Sequence, residues 1–168
     1  KLLPTKAYQR STDKAIEDWL RTKLGSWMHE TKSKRRSLVV FPQFVDVVSQ
    51  MLRAVMLRTK GKDVLLLGRA ASGKCTAARF VAHLCGLSVV QVTCDAETQQ
   101  SRFWSDVKQA IEGACLQGNR VMVVLREWEL DRSMLAAVNH FLLTGTTNHL
   151  LPRADVERIV RSQLGFML

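Results

Sequence analysis

The sequence predicts an α/β fold, a parallel sheet flanked by helices, and two observations carry that prediction. Short apolar runs alternate with longer segments of helical periodicity, the order that builds parallel strands joined by right-handed crossovers. One run, Val64 to Leu67, leads straight into Gly68-Arg-Ala-Ala-Ser-Gly-Lys-Cys-Thr76 and an Ala-rich helical segment. This is the phosphate-binding loop pattern G-x-x-x-x-G-K-[ST], except that Cys75 stands where the pattern has a hydroxyl residue.

The elements follow in order. Residues 13–30 are predicted helical: Ile16, Trp19, Leu20, Lys23, Leu24 and Trp27 recur at helical spacing, with Asp13 as candidate N-cap. The charged segment 31–37 breaks this pattern. Leu38 to Phe41 is a short apolar run, and Pro42 suits the first position of a second helix, where its missing N–H is no loss. Phe44, Val45, Val48, Met51, Leu52, Val55 and Met56 give that helix an apolar face. Gly61 closes the connection, and Val64 to Leu67 is predicted as a buried strand.

A helix over 74–85 comes next, reset by Gly86. Ser88 to Thr93 is a second strand. A helix from 98 to 116 places Phe103, Trp104, Val107, Ile111 and Cys115 on one side. Gln117-Gly-Asn119 is a turn, and Val121 to Leu125 a third buried strand. A helix over 132–143 is closed by Thr144-Gly145, and 154–163 is a short amphipathic helix. The sequence contains no internal repeat and no low-complexity segment.

Composition narrows the classes. At 168 residues with 46% hydrophobic content the chain suffices for one domain with a core. No apolar stretch reaches membrane-spanning length and no signal-peptide pattern is present. The first residue is Lys1, which suggests a fragment or processed product. Cys75, Cys85, Cys94 and Cys115 form no C-x-x-C pair, so neither a metal site nor a disulfide framework is expected, and a reducing cytosolic compartment fits.

The net charge of +10 is uneven: residues 1–36 hold ten Lys/Arg against four Asp/Glu. Lys32 to Arg36 is the densest cluster. It reads either as a nuclear-localisation or nucleic-acid patch or as a solvated loop. The absence of an aromatic-rich reading module favours the loop. His83, His140 and His149 lack metal-ligand spacing, and Ser72 and Ser133 have no base at a recognisable spacing. Trp19, Trp27, Trp104 and Trp128 suit packing better than base stacking. Arg153 and Arg158 read as solvated charges, with a finger-like role toward an adjacent site as the sharper alternative.

The chemistry of the loop is that of an anion cradle. Glycines let backbone N–H groups converge on phosphate, and the helix starting near Gly73 adds the positive end of its dipole. Gly68, Arg69, Ala70, Ala71, Ser72, Gly73, Lys74, Cys75 and Thr76 are the expected nucleotide contacts, with Lys74 reaching the β/γ-phosphates. Cys75 is a poor ligand for a hard cation, and Thr76 lies about 100° further round the helix, so it does not simply replace the hydroxyl.

The other half of a hydrolytic site is altered as well. Such enzymes end a later strand with a carboxylate that holds the Mg²⁺ shell. Here Val121 to Leu125 is followed by Arg126-Glu127-Trp128-Glu129, so Arg126 takes the acidic position and Glu127 the slot of a catalytic glutamate. Three readings stand: Arg126 abolishes the metal site; Glu127 or Glu129 takes over the metal role; or Arg126 itself reaches phosphate as a cation in place of Mg²⁺.

Leu38-Val-Val-Phe41 with its helix, Val64 to Lys74, Val121 to Leu125, and Ser133 to Gly145 with Asn139, Leu142, Leu143 and Gly145 together resemble an AAA+ module of a dynein heavy chain. The pattern is most similar to the fourth module of the motor ring in its axonemal form, over about residues 38–163. The resemblance implies a P-loop NTPase (AAA+) module, here incomplete, with residues 1–37 as a basic helical linker and 38–168 as the module. It implies bound ATP or ADP, with Mg²⁺ doubtful and hydrolysis impaired, within a minus-end microtubule motor. Neighbouring AAA+ modules, light and intermediate chains and microtubules are the implied partners. Cytoplasm, cytoskeleton and ciliary axoneme are the implied places, and neither membrane nor nucleic acid is an expected partner. Cys75 is within the family's pattern; Arg126 is not. The alternatives are a scaffold module without nucleotide and an unrelated nucleic-acid-associated P-loop ATPase. In the family's sheet a further strand lies between the phosphate-loop strand and the Val121 strand. Without a counterpart of it the sheet is expected to show a gap, or to pair those two strands directly, and to expose apolar surface.

Overall fold

The computed structural model describes residues 12–30, 39–56, 63–92, 99–126, 130–146 and 151–165. The chain divides into two units, Lys1–Gln50 and Met51–Leu168.

In the first unit, α1 (Asp13–Glu30) buries Leu20 and Leu24, four residues apart on one face. The Thr12 hydroxyl accepts the Ala15 N–H at 3.3 Å, so Thr12 rather than the expected Asp13 is the N-cap. Trp19 is 47% exposed, which corrects its expected place on a packed face. α2 (Pro42–Met56) begins at Pro42 as expected, and the Phe41 carbonyl accepts from the N–H of Phe44 and Val45 at 2.9 and 3.1 Å. On α2, Val48, Met51 and Val55 are buried.

The second unit holds the sheet. β1 (Ser88–Gln91) and β2 (Val121–Val124) pair in parallel, with Ser88 opposite Val121 and Gln91 opposite Val124. The Ser88 N–H to Arg120 carbonyl bond and the Val92 N–H to Val124 carbonyl bond, 2.8 and 3.2 Å, extend the ladder at both ends. α3 (Lys74–Cys85) and α4 (Gln99–Leu116) each contact both strands, and α6 (Arg153–Gly165) lies against α4. This is the parallel α/β arrangement of a partial P-loop module.

α3 buries Ala77, Ala78, Phe80, Val81 and Ala82. A second cluster joins Val92, Phe103 and Val107 to Met134 and Ala137 of α5 (Arg132–Thr144). Trp104 packs against this cluster and meets Phe103 edge-on, ring centroids 4.8 Å apart, a geometry that suits the aromatic quadrupole. α5 starts where Asp131 accepts the Met134 N–H at 2.8 Å and ends at Gly145, whose left-handed backbone directs its N–H to Phe141.

One predicted strand is absent. Val64 to Leu67 belongs to no strand among the described residues, with Leu65 82% and Leu67 83% exposed. A strand takes its hydrogen bonds and burial from neighbours, and this segment has none in the sheet. Among the described residues it does not pair directly with the Val121 strand, and it leaves apolar side chains exposed. β2 also differs from the expected buried strand: Val121, Met122 and Val124 are half-buried and Val123 is 42% exposed, because among the described residues the sheet has two strands. Among the described residues no helix is long and apolar enough to cross a membrane.

Candidate phosphate-binding site

The site is built where the chain passes from the unpaired segment into α3. Gly73 occupies the N-cap position of α3 with φ 85°, a left-handed conformation that suits glycine, and no side chain caps the helix end. The first-turn N–H groups therefore meet no competing side-chain acceptor, which leaves them for an anion. Ala71 also has positive φ, 60°, at a cost of about 1–2 kcal/mol for a residue with Cβ. The Ser72 N–H to Arg69 carbonyl bond, 3.3 Å, closes the turn.

Lys74 holds the loop from within. Its Nζ donates to the carbonyl oxygens of Gly68 and Arg69, both at 2.6 Å, and to the Ser72 hydroxyl at 3.2 Å. These acceptors gather the beginning and end of the loop around one ammonium. A Cβ on Gly68 would stand 3.3 Å from Ser72 Oγ, a tight contact, and 3.9 Å from Lys74 Nζ, an ordinary one, so a side chain there would press on Ser72 rather than on the ammonium. The sequence identified Lys74 but gave no sign that loop carbonyls would be its partners, since backbone acceptors carry no residue signature.

The expected contacts Gly68 through Thr76 thus form one contiguous turn and first helical turn. Cys75 and Thr76 are half-buried, and Cys75 is a free thiol. Arg126 follows β2 and is half-buried. Glu127, Trp128 and Glu129 lie outside the described residues, as do the Lys32 to Arg36 cluster, Cys94 and His149. A phosphate-loop fold implies Mg²⁺; at the two positions that supply oxygen in that pattern this chain has a thiol, Cys75, and a guanidinium, Arg126, neither of which fits a hard cation.

The opposite end of α3 is closed tightly. Gly86 (φ 63°) and Leu87 donate to the carbonyls of His83 and Ala82 in a Schellman-type stop. Arg120 donates to the Cys85 carbonyl at 3.1 Å. Burial pushes the Cys85 thiol up from its ordinary value of 9.0, and the Arg120 charge partly opposes this. Arg79 of α3 hydrogen-bonds Gln91 of β1, tying the loop helix to the sheet.

Arg158, weighed above as a finger-like residue, pairs with Glu112 of α4 and lies 3.7 Å from Asp155. Lys108 of α4 pairs with the same Asp155 at 2.7 Å. These partners sit within the unit, so Arg158 is a docking residue of α6, and Arg153 pairs with Glu157 at 3.4 Å.

Comparison with known proteins agrees with this geometry. The family described as P-loop containing dynein motor region D4 matches residues 37–164. The chain is 27% identical over 126 residues, 74% of its length, to the dynein alpha chain of the flagellar outer arm of Chlamydomonas reinhardtii. It is 29% identical over 139 residues, 82% of its length, to the cytoplasmic dynein heavy chain of Caenorhabditis elegans. To the human dynein axonemal heavy chain 6 it is 23% identical over 131 residues, 77% of its length. It spans 3% of the length of each of these relatives.

Proposed function

The chain belongs to the family of the P-loop containing dynein motor region D4, and from that membership we propose that it is a nucleotide-holding module of a dynein motor ring with impaired hydrolysis. In this reading residues 38–168 form the module and 1–37 a basic helical linker. Gly68 to Thr76 bind the phosphates of ATP or ADP, with Lys74 as the principal cation. The observation that carries the reading is the Lys74 ammonium seated among Gly68, Arg69 and Ser72 at the open N-terminus of α3. The uncapped first-turn N–H groups of α3 are in place for phosphate, and in this reading the phosphate takes over the Lys74 donors that the loop oxygens of Gly68, Arg69 and Ser72 now hold.

Hydrolysis is weak because both oxygen donors that organise the metal are replaced, Cys75 at one and Arg126 at the other. Arg126 and Glu127 face the γ-phosphate in this account. Glu127 is the residue that would orient water, and without a positioned metal its contribution is small. The role of bound nucleotide is then structural: at a hundredfold excess over Kd it stabilises the module by about 2.7 kcal/mol.

In the whole protein the module works beside neighbouring AAA+ modules of the same heavy chain. Light and intermediate chains and microtubules are partners of the motor as a whole, on the cytoskeleton. The matched relatives include axonemal and cytoplasmic dyneins, and the ciliary axoneme is the proposed place. Family membership favours this reading over a nucleic-acid-associated ATPase. A nucleotide-free scaffold is the second reading, favoured by the fact that Lys74 already has three acceptors.

The test is ATP and ADP binding to the full-length protein and to its Lys74→Ala variant, with turnover measured for Arg126→Asp. The reading expects binding that Lys74→Ala removes and turnover that Arg126→Asp raises. Unchanged binding in Lys74→Ala would sink it.

A further inference from the structure

Resting on the nucleotide-binding reading above, we propose that the ligand of this site is the nucleotide free of its divalent cation, and that Mg²⁺ weakens its binding. The donor set carries this. Mg²⁺ demands oxygen ligands in near-ideal octahedral geometry and parts reluctantly with water. The Cys75 thiol is too soft to compete for it. The Arg126 guanidinium, at the position where the pattern has a carboxylate, has no lone pair to offer a metal. Asp131, the first described carboxylate after β2, is already engaged by the Met134 N–H at 2.8 Å and the Ser133 hydroxyl at 2.7 Å as the cap of α5. Among the described residues no group of three or more His, Cys, Asp or Glu could hold a metal.

The charge balance points the same way. Arg69, Lys74 and Arg126 are cations, and neither 68–76 nor 121–126 contains a carboxylate. Bound Mg²⁺ cancels about half of the charge on a triphosphate, and the attraction to these cations falls with it. An ordinary phosphate-loop site recovers that loss through its hydroxyl and carboxylate. This site has neither group at those two positions, so the metal brings loss without compensation.

The experiment is amide hydrogen exchange of the full-length protein, followed in peptides spanning residues 68–80. ATP is titrated in EDTA and then in excess Mg²⁺. Protection is expected at roughly tenfold lower ATP concentration in EDTA than in Mg²⁺. The double variant Cys75→Ser with Arg126→Asp is expected to reverse that order. Equal or tighter binding with Mg²⁺ would overturn the inference and leave the nucleotide-binding reading standing, with a carboxylate such as Glu127 in the metal role. Absence of protection in both conditions would overturn the nucleotide-binding reading and the inference with it.

Discussion

The Lys74 ammonium is seated 2.6 Å from the carbonyl oxygen of Gly68, six residues earlier in the chain. With the Arg69 carbonyl and the Ser72 hydroxyl it forms an internal clasp, so one side chain both shapes the loop and supplies its charge. Replacing Lys74 by Met removes the clasp while keeping most of the stem. The amides of residues 69–73 are expected to exchange faster in Lys74→Met without any nucleotide present. Unchanged exchange would mean that the loop holds its shape without the ammonium.

The two left-handed residues of the loop, Ala71 and Gly73, make opposite predictions. Gly73 has φ 85°, and its added Cβ meets nothing within 4 Å, so Gly73→Ala costs only the left-handed penalty, about 1–2 kcal/mol. Ala71 already pays that penalty at φ 60°, and Ala71→Gly recovers it against an unfolded-state entropy cost of about 0.5–1 kcal/mol. Urea denaturation is expected to show Gly73→Ala destabilised and Ala71→Gly neutral to slightly stabilised. The reverse order would contradict the loop conformation.

Asp155 joins α6 to α4 by accepting Lys108 at 2.7 Å while lying 3.7 Å from Arg158. The pairs are partly exposed, so Asp155→Asn is expected to cost about 1 kcal/mol, less in high salt because screening weakens the wild-type pairs. Denaturation at two salt concentrations measures this. A cost independent of salt would assign Asp155 a different role.

Cys85 titrates above 9.0 in the folded chain because burial disfavours the thiolate. Its protonated form is favoured by folding, so this contribution to stability is fully present below the unfolded pKa and is lost as pH rises through the folded pKa. Alkylation of Cys85 at pH 8 is expected to be slower in the native chain than in urea, as read by mass spectrometry. Equal rates would indicate an exposed, unshifted thiol.

Local punctuation made much of the fold legible. The helix expected over 74–85 has those bounds because Gly73 and Gly86 both take left-handed conformations and end it cleanly. The parallel alternation and the later helices were readable from apolar period and turn residues. Val64 to Leu67 reads as a buried strand in sequence because an apolar run records what a segment can pack against, yet among the described residues it pairs with no strand and Leu65 and Leu67 are exposed. The loop itself was legible from Gly68, Gly73 and Lys74, while the clasp depends on backbone carbonyls that every residue possesses. Arg158 read as a free charge in sequence because Glu112, its partner, lies 46 residues away.

The most direct measurement of the central claim is ATP-dependent protection of residues 68–80 in the full-length protein, compared between wild type and Lys74→Ala. The account predicts saturable protection in the wild type and its loss, by at least about tenfold in apparent affinity, in the variant. Protection of equal affinity in both proteins, or none in either, would contradict it.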